Sequence, residues 1–232
     1  MPAKKHTYDY PRPALTSDCV LFGFDEGELK LLLLQRAGEP FKNKWALPGG
    51  FVKENESAED AARRILIEKA NVSKIYLEQL YTFSDLERDP RGWIISVAYY
   101  ALVKLADYKV KAGRDTEDAK WVAVSQISKL AFDHNEIVKT AITRLRGKVR
   151  YQPIGFELLP SKFTLTQLQH LYEAILGEVL DKRNFRKKIL GMGLLTALDE
   201  KEKNVAHKAA RFYSFDKKKY KEFTTEGFNF EL

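Results

Sequence analysis

The chain has 232 residues, enough for one large domain or two modest ones, and its 44% hydrophobic and 31% charged residues exclude an intrinsically disordered protein. The single cysteine, Cys19, excludes an internal disulfide and a cysteine metal cluster. The formal net charge of +7 is compatible with a polyanionic partner, and the distribution of the basic residues must decide whether one exists.

The N-terminus has no apolar core of the kind found in signal peptides. The longest uninterrupted apolar run is Leu31 to Leu34, which is far too short to cross a membrane. We therefore expect a cytoplasmic protein with no membrane partner, and we expect Cys19 to be a buried strand residue.

The first part of the chain alternates strand and helix patterns. Two short apolar runs, "DCVLFGF" and "LKLLLLQR", are joined by a turn at Asp25 and Gly27, which predicts a β-hairpin. After "KWALPGGFV", Ser57 and Asp60 form a capping-box pattern, and apolar residues then recur at helical spacing. Three further strands, in "IYLEQLYTF", "WIISVAYYALVKL" and "DAKWVAV", and a helix from about His134 to Arg146 complete the order βββαβββα. This order predicts a mixed sheet between helices.

The pattern changes near Gly147. The segment "GKVRYQPIGFELLPSKF" has no helical period, which predicts a linker or a short strand. An amphipathic helix in "TLTQLQHLYEAILG" ends at Gly177, a second helix begins with Asp181 as N-cap, and two short strands with a charged loop follow. A helix-turn-helix followed by a hairpin is a winged helix. We therefore predict an α+β fold with one domain over residues 1–150 and a small winged-helix domain over residues 151–232.

The segment from Gly49 to Val72 resembles the signature of the Nudix hydrolases. The resemblance covers roughly residues 17–146 and implies the Nudix fold. The signature positions that agree are Gly50, Glu56, Arg64, Leu66, Glu68 and Val72.

In Nudix hydrolases the last three glutamates of the signature lie on one helix face and hold the divalent cations that bridge a diphosphate substrate. Here those positions are Ile65, Glu68 and Lys69, so their formal charge changes from −3 to 0, and the Lys69 ammonium repels a cation. We therefore expect a catalytically inactive site with no metal and no cofactor. Glu56 and Arg64 are expected to serve the fold of the loop and helix, and Lys69 is expected to be a solvated side chain.

Basic residues cluster at the start of the second predicted helix of the C-terminal part. Five of the seven residues from 182 to 188 are basic, which favours contacts with DNA phosphates and base edges, although a solvated basic helix face is the simpler interpretation. The basic candidates are Lys182, Arg183, Arg186, Lys187 and Lys188. Asn184 is a candidate for reading adenine, although asparagine is also common at helix starts. Thr166 and Gln167 are candidate phosphate contacts.

The whole chain resembles the Nudix-related transcriptional regulators, in which an inactive Nudix domain precedes a winged helix. The most specific segment is "DKRNFRKK" after "TLTQLQHLYEA". The resemblance implies a homodimer that binds a palindromic DNA operator, and an effector that is ADP-ribose or a related nucleotide, linked to NAD metabolism, or a sugar, linked to its catabolism. Near "ARFYSF" the family often has arginine and proline where this chain has Lys208 and Ala209, so Lys208 keeps the charge of a wing contact.

The same resemblance implies effector-binding residues on strands and loops that face the Nudix helix. The candidates are Arg36, Lys44, Trp45, Arg88 and Asp89. Trp45 is equally well explained as a core residue, and Arg88 and Asp89 as a pair across a loop. His134 is expected to cap its helix rather than to catalyse a reaction.

The sequence therefore predicts a ligand-responsive transcriptional regulator. Two alternatives remain open at this point. One is a true Nudix hydrolase that acts on a nucleoside diphosphate derivative such as ADP-ribose, and the other is a protein-binding module whose basic helix docks an acidic partner.

Overall fold

The computed structural model describes residues 8–203 and 209–226, with side chains described through residue 222. Within these residues it contains ten strands and five α-helices. The strands are β1 (Ala14–Asp25), β2 (Glu28–Arg36), β3 (Trp45–Ala46), β4 (Gly49–Phe51), β5 (Glu78–Phe83), β6 (Ile94–Leu102), β7 (Thr116–Ala123), β8 (Phe163–Thr164), β9 (Leu195–Lys201) and β10 (Arg211–Phe215). The helices are α1 (Ala58–Ala70), α2 (His134–Tyr151), α3 (Leu165–Leu176), α4 (Lys182–Gly191) and α5 (Lys217–Glu226).

The seven N-terminal strands form one mixed sheet. Its order is β3-β2-β1-β6-β5, with β4 paired to β1 and β7 paired to β2. β1 and β6 run parallel from Ala14 opposite Ile94 to Phe22 opposite Leu102, and the other pairs are antiparallel. The predicted mixed sheet is confirmed, and the segment predicted as one strand before α1 forms the two short strands β3 and β4.

The central strand β1 is buried on both faces because its middle is entirely apolar. Cys19 and Leu21 face a core shared with α1, whereas Val20 and Phe22 face a larger core shared with α2 and α3. This alternation follows from the two-residue period of a strand. The prediction that Cys19 is a buried strand residue is confirmed.

The helix α1 begins and ends as its sequence predicts. The Ser57 side chain accepts a hydrogen bond from the Asp60 backbone, the Asp60 side chain accepts one from the Ser57 backbone, and Asn71 ends the helix in the left-handed conformation. The loop before β7 then binds the open end of the helix, because Gly113 and Arg114 donate backbone hydrogen bonds to the carbonyls of Lys69 and Glu68.

The helix α2 is longer than predicted. The expected end near Arg146 is wrong, since the helix continues through Gly147 to Tyr151, and a 3₁₀ turn at Phe156–Leu158 follows it. A glycine lowers helix propensity but does not stop a helix whose apolar face is packed, and Leu145 and Val149 are both fully buried. The segment predicted as a linker therefore begins as helix.

The C-terminal part is a winged helix, as predicted. The helices α3 and α4 are joined by a turn at Gly177, and β8, β10 and β9 form a three-stranded antiparallel sheet. The helix α5 was not among the predicted elements. It follows β10, and Tyr220 lies against Phe215 at 5.5 Å between ring centroids.

Together these elements form the expected α+β architecture, a Nudix-like sheet between helices followed by a small winged helix. Among the described residues, no helix combines the length and the apolar character that crossing a membrane requires.

Candidate functional site

A cavity of about 640 Å³ opens beside α1. Its wall consists of β1, the loop after β2, β4, one face of α1, the loops before β6 and β7, and the start of α2. Arg36, Arg88 and Asp89, which are predicted to bind an effector, line this cavity. The Nudix-signature positions Gly50, Arg64, Ile65, Glu68 and Lys69 line it too, whereas Glu56 does not. The structure therefore brings two separate groups of predicted residues together.

Lys44 and Trp45 do not line this cavity. Lys44 is exposed, and Trp45 packs against the larger core with the Lys120 ammonium over its ring at 4.1 Å from the centroid. The core interpretation of Trp45 is therefore the one that its contacts support. The aromatic side chains at the cavity are instead Phe51 and Phe132, which sequence reasoning missed.

These two phenylalanines lie among guanidinium groups. The Arg91 guanidinium lies 4.8 Å from the Phe51 ring centroid and 5.2 Å from that of Phe132, and the Arg36 guanidinium lies 4.9 Å from that of Phe132. Burial, and then the charge of Arg91, lower the pKa of Arg36. Aromatic faces next to cations suit a ligand that carries both a planar base and anionic groups.

Glu56 and Arg64 tie the loop after β4 to α1, as predicted. Arg64 Nε donates to Glu56 Oε2 at 2.9 Å, Arg64 Nη2 donates to Glu56 Oε1 at 2.6 Å, and Arg64 Nη2 also donates to the Phe51 carbonyl at 2.9 Å. The hydrogen bond with Arg64, followed by one from the Lys53 backbone, lowers the pKa of Glu56 to about 2. Arg64 also pairs with Glu68 at 3.3 Å, so the one retained carboxylate of the metal-binding trio faces a cation.

The two substituted positions of the trio lie under Gly50. Ile65 is fully buried, and its Cδ1 would be 3.3 Å from a Cβ added at Gly50. The Lys69 Nζ would be 3.9 Å from that same Cβ. The prediction that Lys69 is simply solvated is wrong, because its side chain is half-buried and lines the cavity. This burial lowers the pKa of Lys69.

Nudix hydrolases hold divalent cations at this place in the fold. Within residues 8–203 and 209–226, no three or more histidine, cysteine, aspartate or glutamate side chains are arranged to hold a metal ion. An aliphatic side chain and an ammonium group occupy the positions of two carboxylate ligands. The site does not fit a divalent cation bound as in the Nudix hydrolases.

A buried polar network lies beneath the cavity, and sequence reasoning missed most of it. Arg88 donates to Asp133 at 2.9 and 2.8 Å and lies 3.5 Å from Asp18, which in turn accepts a hydrogen bond from Ser96 at 2.5 Å. The interpretation that Arg88 pairs with Asp89 is wrong, because Asp89 pairs with Arg91 at 2.6 Å. The sequence signal for this network was Asp18, a charged residue inside an apolar strand.

His134 belongs to the same network and does not cap α2. Asp133 holds the N-cap position, and His134 is the buried first residue of the helix. His134 Nδ1 accepts a hydrogen bond from the Leu47 backbone at 2.9 Å, and its Nε2 faces Asp18 at 3.6 Å. Burial lowers the pKa of His134, so the ring is neutral at neutral pH, and its hydrogen bond with Leu47 holds the segment between β3 and β4 against α2.

The predicted DNA-binding residues lie on α3 and α4. Asp181 caps α4 by accepting from the Asn184 backbone at 2.8 Å, and Phe185 and Ile189 anchor the helix in the core. Five of the predicted residues have exposed side chains on α4, namely Lys182, Arg183, Asn184, Lys187 and Lys188, and the apolar Leu190 is exposed there as well.

The remaining candidates of this group have partners inside the protein or lie outside the described residues. Arg186 is half-buried, and its Nη2 donates to Thr166 Oγ1 at 3.2 Å. Gln167 accepts from the Thr164 backbone at 2.8 Å and completes the cap of α3. Lys208 lies outside the described residues.

One helix joins the cavity to the winged helix. The first turn of α2 carries Asp133 and His134, and near its other end Arg146 Nε donates to the Ile175 carbonyl of α3 at 3.0 Å. Arg150 also pairs with Glu178, just after α3, at 3.2 Å. A helix of 18 residues spans about 27 Å, so α2 reaches from the cavity to the winged helix.

Comparison with known proteins gives two family matches. The family model of the NUDIX domain matches residues 12–142, and the model of the NrtR DNA-binding winged helix domain matches residues 155–215. The "ADPR responsive transcriptional repressor NtrR" of Acinetobacter baylyi is 39% identical over 211 residues, which cover 89% of this chain and 84% of the relative. The "ADP-ribose pyrophosphatase" of Methanocaldococcus jannaschii is 36% identical over 130 residues, which cover 56% of this chain and 73% of the relative.

Two solved structures from Shewanella oneidensis resemble the chain. NrtR complexed with a 27mer DNA has a TM-score of 0.74 and 35% identity, with 87% of this chain and 93% of that chain covered. The NUDIX domain of NrtR complexed with ADP ribose has a TM-score of 0.56 and 38% identity, with 60% of this chain and 94% of that chain covered.

Proposed function

Because the chain belongs to the NrtR family of Nudix-related transcriptional regulators, we propose that it is a transcriptional repressor whose affinity for its DNA operator changes when ADP-ribose binds in the cavity beside α1. The observation that carries this proposal is the position of α2. Its first turn holds the polar network under the cavity, and its last turns bind α3 of the winged helix. A ligand that moves the cavity floor thereby has a rigid element through which to move the DNA-binding helices.

The cavity suits ADP-ribose by its chemistry. Phe51 and Phe132 offer aromatic faces to the adenine base, and Arg36 and Arg91 offer guanidinium groups to the diphosphate. Arg88 and Asp89 serve this site by fixing the cavity floor, since each forms a short ion pair inside the protein. A sugar effector has no anionic group to match these cations, so the residues favour the nucleotide.

The winged helix supplies the DNA contacts. Lys182, Arg183, Lys187 and Lys188 contact phosphates or base edges from α4, and Asn184 is the candidate for base reading. A homodimer places two copies of α4 in successive major grooves of a palindromic operator about one duplex turn apart. Residues 1–150 form the sensing domain and residues 151–232 the DNA-binding domain. A regulator of chromosomal DNA acts in the bacterial cytoplasm.

The proposal includes the absence of ADP-ribose hydrolysis. Ile65 and Lys69 replace two carboxylates, and Arg64 and Lys53 pair with the third, Glu68. The rival function, hydrolysis of ADP-ribose, is favoured by the identity with the archaeal pyrophosphatase. It predicts magnesium-dependent release of AMP by the unaltered protein.

One experiment tests both functions and the protein-binding alternative. Purified protein selects sheared genomic DNA at physiological salt, with and without ADP-ribose and with a panel of sugars, and the recovered fragments are sequenced. We expect a few palindrome-bearing promoters whose recovery changes with ADP-ribose. Uniform recovery overturns the operator proposal, a change with a sugar alone overturns the effector, and AMP release in a parallel chromatographic assay with magnesium overturns the absence of hydrolysis.

A further inference from the structure

The Lys69 ammonium group has an open approach to the cavity. Lys69 follows Ile65 by four residues on α1, so both side chains lie on the face that points toward Gly50. Ile65 is fully buried, while Lys69 lines the cavity and its Nζ lies 3.9 Å from the place where a Gly50 Cβ would be. The absence of a side chain at Gly50 keeps this approach open.

The backbone of Lys69 is held rigidly. Its carbonyl accepts a hydrogen bond from the Gly113 backbone N–H at 3.2 Å, and the Glu68 carbonyl accepts one from the Arg114 backbone N–H at 3.0 Å. Only glycine fits at position 113, because a Cβ there would be 2.1 Å from the Glu68 carbonyl oxygen. This contact fixes the last turn of α1 and therefore fixes the point from which the Lys69 side chain enters the cavity.

The ammonium has no hydrogen bond or salt bridge to any residue in the described part of the chain. The carboxylates around it have other partners. Glu68 pairs with Arg64 and Lys53, Asp18 accepts a hydrogen bond from Ser96, and Asp115 lies 3.8 Å from Arg114. Burial lowers the pKa of Lys69, although the charges of Asp115, Asp18 and Glu68 act in the opposite direction. A half-buried ammonium with unfilled donors is a site for an anion.

The charge of the cavity matches a diphosphate. Seven cationic and five anionic side chains line it, which is a net charge of +2, and a nucleotide diphosphate diester carries about two negative charges. Glutamates at positions 65 and 69, as in the Nudix signature, would give six cationic and seven anionic side chains and a net charge of −1. The two substitutions therefore change the net charge of the cavity lining from −1 to +2, which favours a diphosphate.

We propose that the Lys69 ammonium replaces the divalent cation in this cavity, so that the protein binds the diphosphate of a nucleotide such as ADP-ribose without any metal ion. The inference rests on the proposed function in taking ADP-ribose as the ligand. It adds that Lys69, at a substituted position of the Nudix signature, determines specificity, because it selects a diphosphate that carries no metal ion.

Isothermal titration of the full-length protein with ADP-ribose, in excess EDTA and in excess magnesium, tests the inference. The unaltered protein is expected to bind with the same Kd within about twofold in both buffers. Lys69→Met is expected to bind ADP-ribose at least about tenfold more weakly in both buffers, because it loses one charge-assisted contact. The Kd of Lys69→Arg is expected to stay within about threefold of that of the unaltered protein.

Lys53→Met is the matched control. Lys53 lines the same cavity, but it is exposed and already pairs with Glu68 at 3.7 Å, so its loss is expected to weaken binding by less than about threefold. Thermal unfolding of each variant establishes that it is folded.

The outcomes separate this inference from the proposed function. Binding that is more than about tenfold tighter in magnesium than in EDTA overturns the inference and leaves ADP-ribose as the effector. Equal losses of ADP-ribose affinity in Lys69→Met and Lys53→Met also overturn it, because the total charge of the cavity lining, rather than Lys69 in particular, then explains binding. No binding of ADP-ribose by the unaltered protein in either buffer overturns both.

Discussion

Arg88 and Asp133, 45 residues apart in sequence, form a bidentate ion pair with Nε–Oδ2 and Nη2–Oδ1 distances of 2.9 and 2.8 Å. The Arg88 side chain is 2% exposed and that of Asp133 17%. The pair joins the floor of the cavity to the N-cap residue of α2. It therefore links the cavity beside α1 to the helix that reaches the winged helix.

Asp133→Ala is expected to lower the free energy of unfolding by about 3 kcal/mol, because it leaves a buried guanidinium without its main partner. Denaturant titration measures this loss. Asp107→Ala is the control, since Asp107 is exposed and lies 3.9 Å from Lys104, and the expected change is below about 0.5 kcal/mol. Equal effects of the two substitutions would contradict a special role for the buried pair.

Glu56→Gln is expected to give a stability loss that depends on pH. The hydrogen bond with Arg64 lowers the pKa of Glu56 to about 2 from its usual 4.5, so the stabilisation is complete above pH 4.5 and is lost as the pH falls toward 2. Denaturant titrations between about pH 6 and pH 3 measure the free energy of unfolding of both proteins. We expect their difference to be constant down to about pH 4.5 and to shrink below it. A difference that is the same at all these pH values would show that the Glu56 carboxylate is not stabilised in its charged form.

Gly177→Ala is expected to destabilise the protein by about 1–2 kcal/mol, because Gly177 has a φ of +75° and ends α3 in the left-handed conformation. The added Cβ would also lie 2.7 Å from Arg146 Nη2, which disturbs the contact between α2 and α3. Thermal or denaturant unfolding measures the loss. Gly191→Ala, where an added Cβ meets nothing within 4 Å, is the matched control and is expected to be neutral or slightly stabilising.

Lys187→Ala is expected to weaken DNA binding by a similar factor for all sequences, because it removes one phosphate contact. For the same reason, the slope of log K against log salt concentration is expected to decrease in magnitude by about 1. Fluorescence anisotropy with an operator duplex and an unrelated duplex at several salt concentrations measures both. Lys139→Ala, an exposed lysine on α2, is expected to leave the slope unchanged. An unchanged slope for Lys187→Ala would remove Lys187 from the phosphate contacts.

The sequence by itself determined the features that depend on near neighbours. The caps at Ser57 and Asp60, the turn at Gly177, the burial of Cys19 in a strand and the apolar face of α3 are all set by residues within a few positions, and each was predicted correctly. The substitutions at Ile65 and Lys69 were equally visible, because their helical offsets place them on one face whatever the rest of the chain does.

Tertiary structure decided what those residues contact. Arg88 pairs with Asp133 rather than with its neighbour Asp89, Phe132 rather than Trp45 lines the cavity, and packing carries α2 through Gly147 to Tyr151. Lys69 shows both contributions in one residue. Its position on the helix follows from spacing in the sequence. Its burial and its lack of a partner within the described chain depend on the loop at Gly113 and the backbone at Gly50. Local periodicity cannot encode these contacts, because each depends on segments that only the folded sheet and helices bring together.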